Sequence, residues 1–215
     1  MLLQPAAGPP ADRAHYNRVD TTEEPVTRPR ELRIGHPAWL ETAIDWERTY
    51  PSDEDRIRLA IALARENVMH DTGGPFGAVI VESTTGRLVA AGVNSVVRLG
   101  NSALHGEMIA FMMAQQRLQS PTLALPGLPA HELASSSEPC AMCFGAILWS
   151  GVKRVVFGAG REDAESLGFD EGPVFPESYR YLRDRGIDIA GGLVREEARA
   201  VLELYRRRGG PIYNA

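Results

Sequence analysis

Cysteine is almost absent: the 215-residue chain has two, Cys140 and Cys143. A pair separated by two residues is too close to staple a fold. This excludes a disulfide scaffold and leaves redox or metal chemistry for C-x-x-C. No run approaches the roughly 20 apolar residues that cross a bilayer, so no membrane partner is expected. Residues 1–10 lack both a charged start and a long apolar stretch, so no secretory signal is expected. A basic excess is missing too. Lys and Arg number 23 against 28 Asp and Glu, for a formal charge of -5. That balance weighs against a nucleic-acid partner, since phosphate binding shows as basic excess, although a local basic groove is compatible with it. Internal repeats are lacking as well. Together these absences read as a cytoplasmic, reduced protein.

What is present is the ordinary balance of a globular chain, with 44% hydrophobic and 24% charged residues. The length fits one domain plus an appendage. Pro5, Pro9, Pro10, Pro25 and Pro29 punctuate a start without apolar period. Residues 1–35 therefore read as an irregular Pro-rich arm, disordered or draped on a partner subunit, and 36–215 as the domain. Trp39, Ile44 and Trp46 predict a short helical piece within 36–50. Ser52 and Asp55 form a capping-box-like start to a helix carrying Ile57, Ile61, Ala64 and Val68 at helical spacing. Gly73-Gly74-Pro75 breaks it. Strands are predicted over 76–81 and 88–97 about the turn at Thr84-Thr85-Gly86, forming a hairpin. A helix over 105–118, a strand over 132–135 and a helix over 140–149, with Pro139 in its first turn, come next. Then follow a strand over 152–159, a helix over 178–185, a strand over 187–190 and a helix over 195–208. Such alternation predicts an α/β fold, a three-layer sandwich.

Four residues carry chemistry: His105 and Glu107 at one predicted helix start, Cys140 and Cys143 at another. Residues three apart share a helix face, so both sulfurs can reach one ion. The positive end of the helix favours thiolate over thiol. With His105 this makes three protein ligands and an open position, the pattern of catalytic zinc. Zn2+, two thiolates and a neutral imidazole sum to zero charge. Such a site acidifies water less than an all-histidine site, so a nearby base is useful. Glu107 suits that task without being a ligand. C-x-x-C alone is a weak signal and H-x-E weaker still. Combined, with proline before the first cysteine, they match the zinc-deaminase pattern H-x-E…P-C-x-x-C. The redox reading leaves His105 and Glu107 without a role.

The sequence thereby resembles the cytidine and guanine deaminase superfamily, through His105-Gly106-Glu107 and Pro139-Cys140-Ala141-Met142-Cys143. It is most similar to the bacterial guanine deaminase branch. The opening strand Gly73-Gly74-Pro75-Phe76-Gly77-Ala78 and the segment Gly168-Phe169-Asp170-Glu171 carry that likeness. The likeness covers residues 53–215. It implies a cytidine deaminase-like fold with a central mixed sheet of about five strands. The implied reaction is guanine plus water giving xanthine plus ammonia, with zinc as cofactor and Glu107 moving the protons. Residue by residue, it assigns Asn94, on the second hairpin strand, to the purine edge. An amide offers both a donor and an acceptor there. It assigns Glu171 to the N–H edge, in a place where relatives often carry Asp. Backbone carbonyls beside Glu138 and Pro139 would receive the departing amine. Phe76 and Trp149 are either stacking groups or core aromatics. Tyr213 is the closing group of a C-terminal segment often lent by a neighbouring subunit, which implies a homodimer with exchanged segments.

Other readings stay open at this stage. Asn94 could be a strand-end amide and Glu171 a solvated loop acid. The triazine ammeline presents an edge like guanine's. A tRNA adenosine deaminase, or a deaminase of another nucleobase or nucleoside, would share the metal motifs. A binding module with structural zinc would not need Glu107. His15, His36, His70 and His131 have no motif context. Arg206-Arg207-Arg208 closes a helix, where cations suit the dipole.

Overall fold

The computed structural model describes residues 30–214. Ile34–Ala215 forms one compact unit; the arm over 1–35 lies almost wholly outside the described residues. Helix α1 (Leu40–Ala43) is one turn long, shorter than the piece predicted within 36–50. Asp45 explains the stop: its carboxylate accepts the Glu47 N–H at 3.2 Å, a local bond that competes with helix. Helix α2 (Asp53–Met69) starts where expected. Ser52 Oγ accepts the Asp55 N–H at 3.1 Å, and Asp53, Glu54 and Asp55 occupy the positive end.

Strands β1 (Gly77–Glu82) and β2 (Leu88–Val93) form the expected antiparallel hairpin. β2 ends four residues before the predicted boundary, because Asn94 Oδ1 accepts the Val96 N–H at 3.3 Å and turns the chain into α3 (Val96–Leu99). Asn94 thus sits just past the strand, not on it. Helix α4 (Gly106–Leu118), strand β3 (His131–Ser137) and helix α5 (Ala141–Ser150) follow. Pro139 lies just outside α5, not in its first turn, because Cys140 is extended and takes the N-cap. Strand β4 (Arg154–Ala159), helices α6 (Arg161–Glu165) and α7 (Pro176–Arg183), strand β5 (Asp188–Ala190) and helix α8 (Arg195–Arg207) complete the described chain.

The five strands form one mixed sheet in the order β2-β1-β3-β4-β5. β1 is antiparallel to both neighbours, while β3, β4 and β5 run parallel. Side-chain alternation makes the layers. Val79 and Val81 meet Ile57, Ile61 and Ala64 of α2 and Val201 and Leu202 of α8. Ala78 and Ile80 meet Ala110 and Phe111 of α4, Phe144 and Ile147 of α5, and Leu182 of α7. Every residue of β1 is buried, as a strand covered on both faces must be. The fold is the predicted α/β three-layer sandwich. Gly77 pairs with Val93, and Ser137 with Ala159. The start of β1 and the ends of β2, β3 and β4 therefore share one end of the sheet, where α4 and α5 also begin. Among the described residues no helix is long and apolar enough to cross a membrane.

Candidate active site

Two helix starts converge at that end of the sheet. His105 is the N-cap of α4 and Cys140 the N-cap of α5, both with extended backbone. Gly92 of β2 and Gly106 of α4 permit this approach. A Cβ on Gly92 would collide with the Gly106 carbonyl, and one on Gly106 would press on the carbonyls of Phe76 and Gly92. Packing thus accounts for a glycine that costs helix propensity.

His105 Nδ1 lies 3.4 Å from Cys140 Sγ and 3.7 Å from Cys143 Sγ. One ligand atom from each of the three falls within 4.8 Å of the others. Tetrahedral zinc with ordinary Zn–N and Zn–S bonds separates N from S by about 3.6 Å. The donor set and its spacing therefore fit zinc with its fourth position open. The thiols are already biased toward binding. Cys140 is pushed down to about 4, first by its hydrogen bond to Cys143 and, against the cost of burial, by His105. The Cys143 thiol is raised, first by the same bond and then by burial. The pair gives up one proton readily and holds the other, so a dication taking both sulfurs displaces a proton. Burial lowers the His105 imidazole, but the bond to Cys140 and its charge more than offset this and leave it raised.

Glu107, in the first turn of α4, is 6% exposed. Burial first, then the Cys140 charge, raises its carboxyl. Ser135 Oγ on β3 donates to Glu107 Oε1 at 3.3 Å. No sequence signal marks Ser135.

Asn94 is fully buried. Its Oδ1 accepts from Val96 N and, at 3.4 Å, from Gly74 N. Its backbone carbonyl accepts from Asn67 Nδ2 at 2.8 Å, and the same amide donates to Gly74 O at 2.9 Å. Among the described residues Asn94 Nδ2 has no hydrogen-bond partner. The sequence signal for Asn67 is a polar residue on the buried, largely apolar face of α2.

Glu171 lies in the loop after α6, 6% exposed, so it is not a solvated loop acid. Its carbonyl accepts the Ala141 N–H at 2.9 Å, which lays the loop on the metal helix. Burial, then Cys140 and Glu107, push its carboxyl up to about 8; a bound dication would offset the Cys140 share.

Phe169 meets Phe76 edge-on at 5.0 Å and Tyr213 at 5.2 Å. Tyr213 also packs on Gly74, and Asn214 Nδ2 donates to Asp170 O at 2.8 Å. The C-terminal segment thus reaches this region from its own chain. Trp149 is not brought to the cluster: it lies near the far end of α5 with 79% of its surface exposed.

The cytidine and deoxycytidylate deaminase zinc-binding region matches residues 51–159. A guanine deaminase of Bacillus subtilis is 36% identical over 62% of this chain and 81% of its own. The solved guanine deaminase of Nitrosomonas europaea is 42% identical, with a TM-score of 0.80 over 84% of this chain and 98% of its own. A further solved structure, with 8-azaguanine bound, also gives 0.80, at 42% identity over 83% of this chain and 97% of that one. A tRNA-specific adenosine deaminase of Buchnera aphidicola is more distant, 28% identical over 70% of this chain and 93% of its own. The chain belongs to the zinc-binding cytidine and deoxycytidylate deaminase family.

Proposed function

We propose that the protein is a guanine deaminase, hydrolysing guanine to xanthine and ammonia. The observation that carries this reading is the burial of an unpartnered amide, Asn94, and of a carboxyl, Glu171, in the elements that meet at the candidate metal site. A buried amide N–H without a partner costs stability unless a ligand takes it. A purine carbonyl or bare ring nitrogen does so. Opposite chemistry is needed for the N–H groups of guanine, and the buried Glu171 carboxyl accepts them. Phe76, Phe169 and Tyr213 supply an apolar wall for the flat base. The guanine deaminase relatives, and the neighbour solved with 8-azaguanine, support the same substrate class.

His105, Cys140 and Cys143 hold the zinc. Bound there, zinc supplies the Lewis acidity that makes water a competent nucleophile near neutral pH. Glu107 does the proton work. Its Oε1 is steadied by Ser135, and its raised affinity for a proton suits a group that must both take and give one. It takes one proton from water and delivers it to the ring nitrogen beside the reacting carbon; it then takes the second proton, from the oxygen now bonded to that carbon, and gives it to the amine, which leaves as ammonia as the carbonyl forms. The buried thiolates carry no proton in the cycle.

We infer further that the enzyme is a cytoplasmic homodimer of purine metabolism. Trp149, with 79% of its surface exposed, is a large apolar side chain that a second copy would cover. Since Tyr213 packs on Gly74 of its own chain, exchange of C-terminal segments is not needed to wall the site. The arm over 1–35 and the domain over 36–215 stand as a proposed division. The test is ammonia release from guanine, guanosine, cytosine, adenine and ammeline, with tRNA assayed for inosine. Guanine should be the preferred substrate and tRNA unmodified. No ammonia from guanine, with inosine formed in tRNA, would sink the proposal.

A further inference from the structure

Arg161 opens α6 and appears in no sequence motif. Its guanidinium Nη1 donates to Gly172 O at 2.7 Å, one residue past Glu171. Among the described residues its Nη2 is buried without a hydrogen-bond partner, and the side chain is 21% exposed. Among the same residues its ion-pair contact is Glu165, 4.0 Å away and half-exposed, too weak a partner to hold the group. The backbone of Arg161 is held separately. Its N–H donates to Glu138 Oε2 at 3.0 Å, and Glu138 Oε1 accepts from the Tyr179 hydroxyl. Glu138 is two residues before Cys140, so α6, α7 and the approach to the metal helix meet at one carboxylate.

The first part of the loop that Arg161 grips is anchored by Phe169, packed on Phe76 and Tyr213, and by Asn214 Nδ2 on Asp170 O; the part beyond Glu171 relies on fewer contacts. Gly172 has a left-handed backbone, with φ of +67°, and glycine in such a loop is costly to order. The loop is fastened to the metal helix by the Ala141 N–H on Glu171 O and kept turned by Gly172 N donating to Asp170 Oδ1 at 2.8 Å. The Arg161 and Asp170 bonds are both charge-assisted, and such bonds are the strong ones; of the two, the Arg161 bond reaches the loop from another element. Its cation also favours the ionised form of Glu171.

We propose that Arg161 is a positioning residue: by gripping Gly172 O it holds Glu171 at the depth that selects the base. This rests on the reading of Glu171 as the substrate-recognising acid. Loss of the grip loosens residues 168–175 and weakens base recognition, while the metal ligands and Glu107, held by other elements, stay in place. The expected split is a KM effect with kcat nearly kept.

The test compares Arg161→Ala and Arg161→Lys with the parent zinc enzyme. Expected for Arg161→Ala are faster amide exchange confined to 168–175, unchanged zinc content, and KM for guanine raised roughly ten- to a hundredfold. Arg161→Lys, which keeps a charged donor, should recover most of the loss. Amide exchange reads the loop without any activity, so it judges the proposal whatever the substrate. Unchanged exchange overturns it. Loosened exchange with unchanged KM overturns it too. So does an equal fall in kcat with loss of zinc or of thermal stability, which marks a general structural role. If the parent enzyme prefers another base, the guanine reading fails by itself, and the same KM comparison on that base still decides on Arg161.

Discussion

Glu107 and Asn94 show how burial turns ordinary polar residues into chemical ones. Glu107 has a negligible choice of partners: Ser135 on one oxygen and the metal cluster nearby. Glu107→Gln preserves shape and leaves the three ligands alone. Zinc content should be unchanged, while turnover falls by about 10²- to 10⁴-fold. Metal analysis beside steady-state rates checks both halves, and loss of zinc would contradict the role. Asn94 was legible as a polar residue near a strand end. Its unpartnered Nδ2 was not, because that depends on Gly74, Val96 and Asn67 meeting around it. Trp149 shows the reverse error. A tryptophan in the metal helix looks like a stacking group until the helix phase and length carry it to the surface.

Among the elements, α2 and α6 carry separable predictions. Ser52 caps α2 as its sequence context indicates, and Ser52→Ala should cost about 1 kcal/mol, read as a lower urea midpoint with unchanged slope. Asp163 joins α6 to α8: Arg195 and Arg199 reach its carboxylate at 2.7 and 3.2 Å. The Arg195 bond is the main cause holding its carboxyl below the usual range. A lowered value in the folded state means stability that is present above the unfolded value near 3.9 and lost as pH falls through the folded one. Asp163→Asn should therefore be less stable than the parent at neutral pH, with the gap closing below about pH 4. Thermal melts across pH 2–7 would show it. Long elements were legible, since α2, α4, α5 and α8 repeat apolar residues over several turns. Two short features escape periodicity. α1 and the end of β2 are set by single side-chain bonds from Asp45 and Asn94, which periodicity does not register.

At the scale of the whole molecule, one end of the sheet carries the site and the other end a charge network. Arg56 and Glu132 form a buried pair at 2.5 Å, and Arg56 also donates to the carbonyls of Tyr50, Pro51 and Ser83. Arg154 binds Asp53 through two bonds of 2.6 Å. Glu132→Ala leaves the buried Arg56 cation to three carbonyls and a longer 3.6 Å contact with Asp53, and should cost up to about 3 kcal/mol in chemical denaturation, with little change in KM. At the other end, zinc held by His105, Cys140 and Cys143 would tie the start of α4 to the start of α5. Chelation should lower the melting temperature by on the order of 10 °C, reversed by zinc, if ligand excess over dissociation constant is about a thousandfold. The sequence by itself marked the candidate ligand trio and the proposed proton carrier, because metal chemistry demands particular atoms at short spacings within two helix starts. It also determined the layered fold, because strands buried on both faces alternate with amphipathic helices. Only the tertiary structure decided what surrounds the metal. Ser135, Asn67, Phe169 and Arg161 come from separate elements, and Glu171 is held by contacts to a backbone carbonyl and an amide that have no signature in the side-chain pattern.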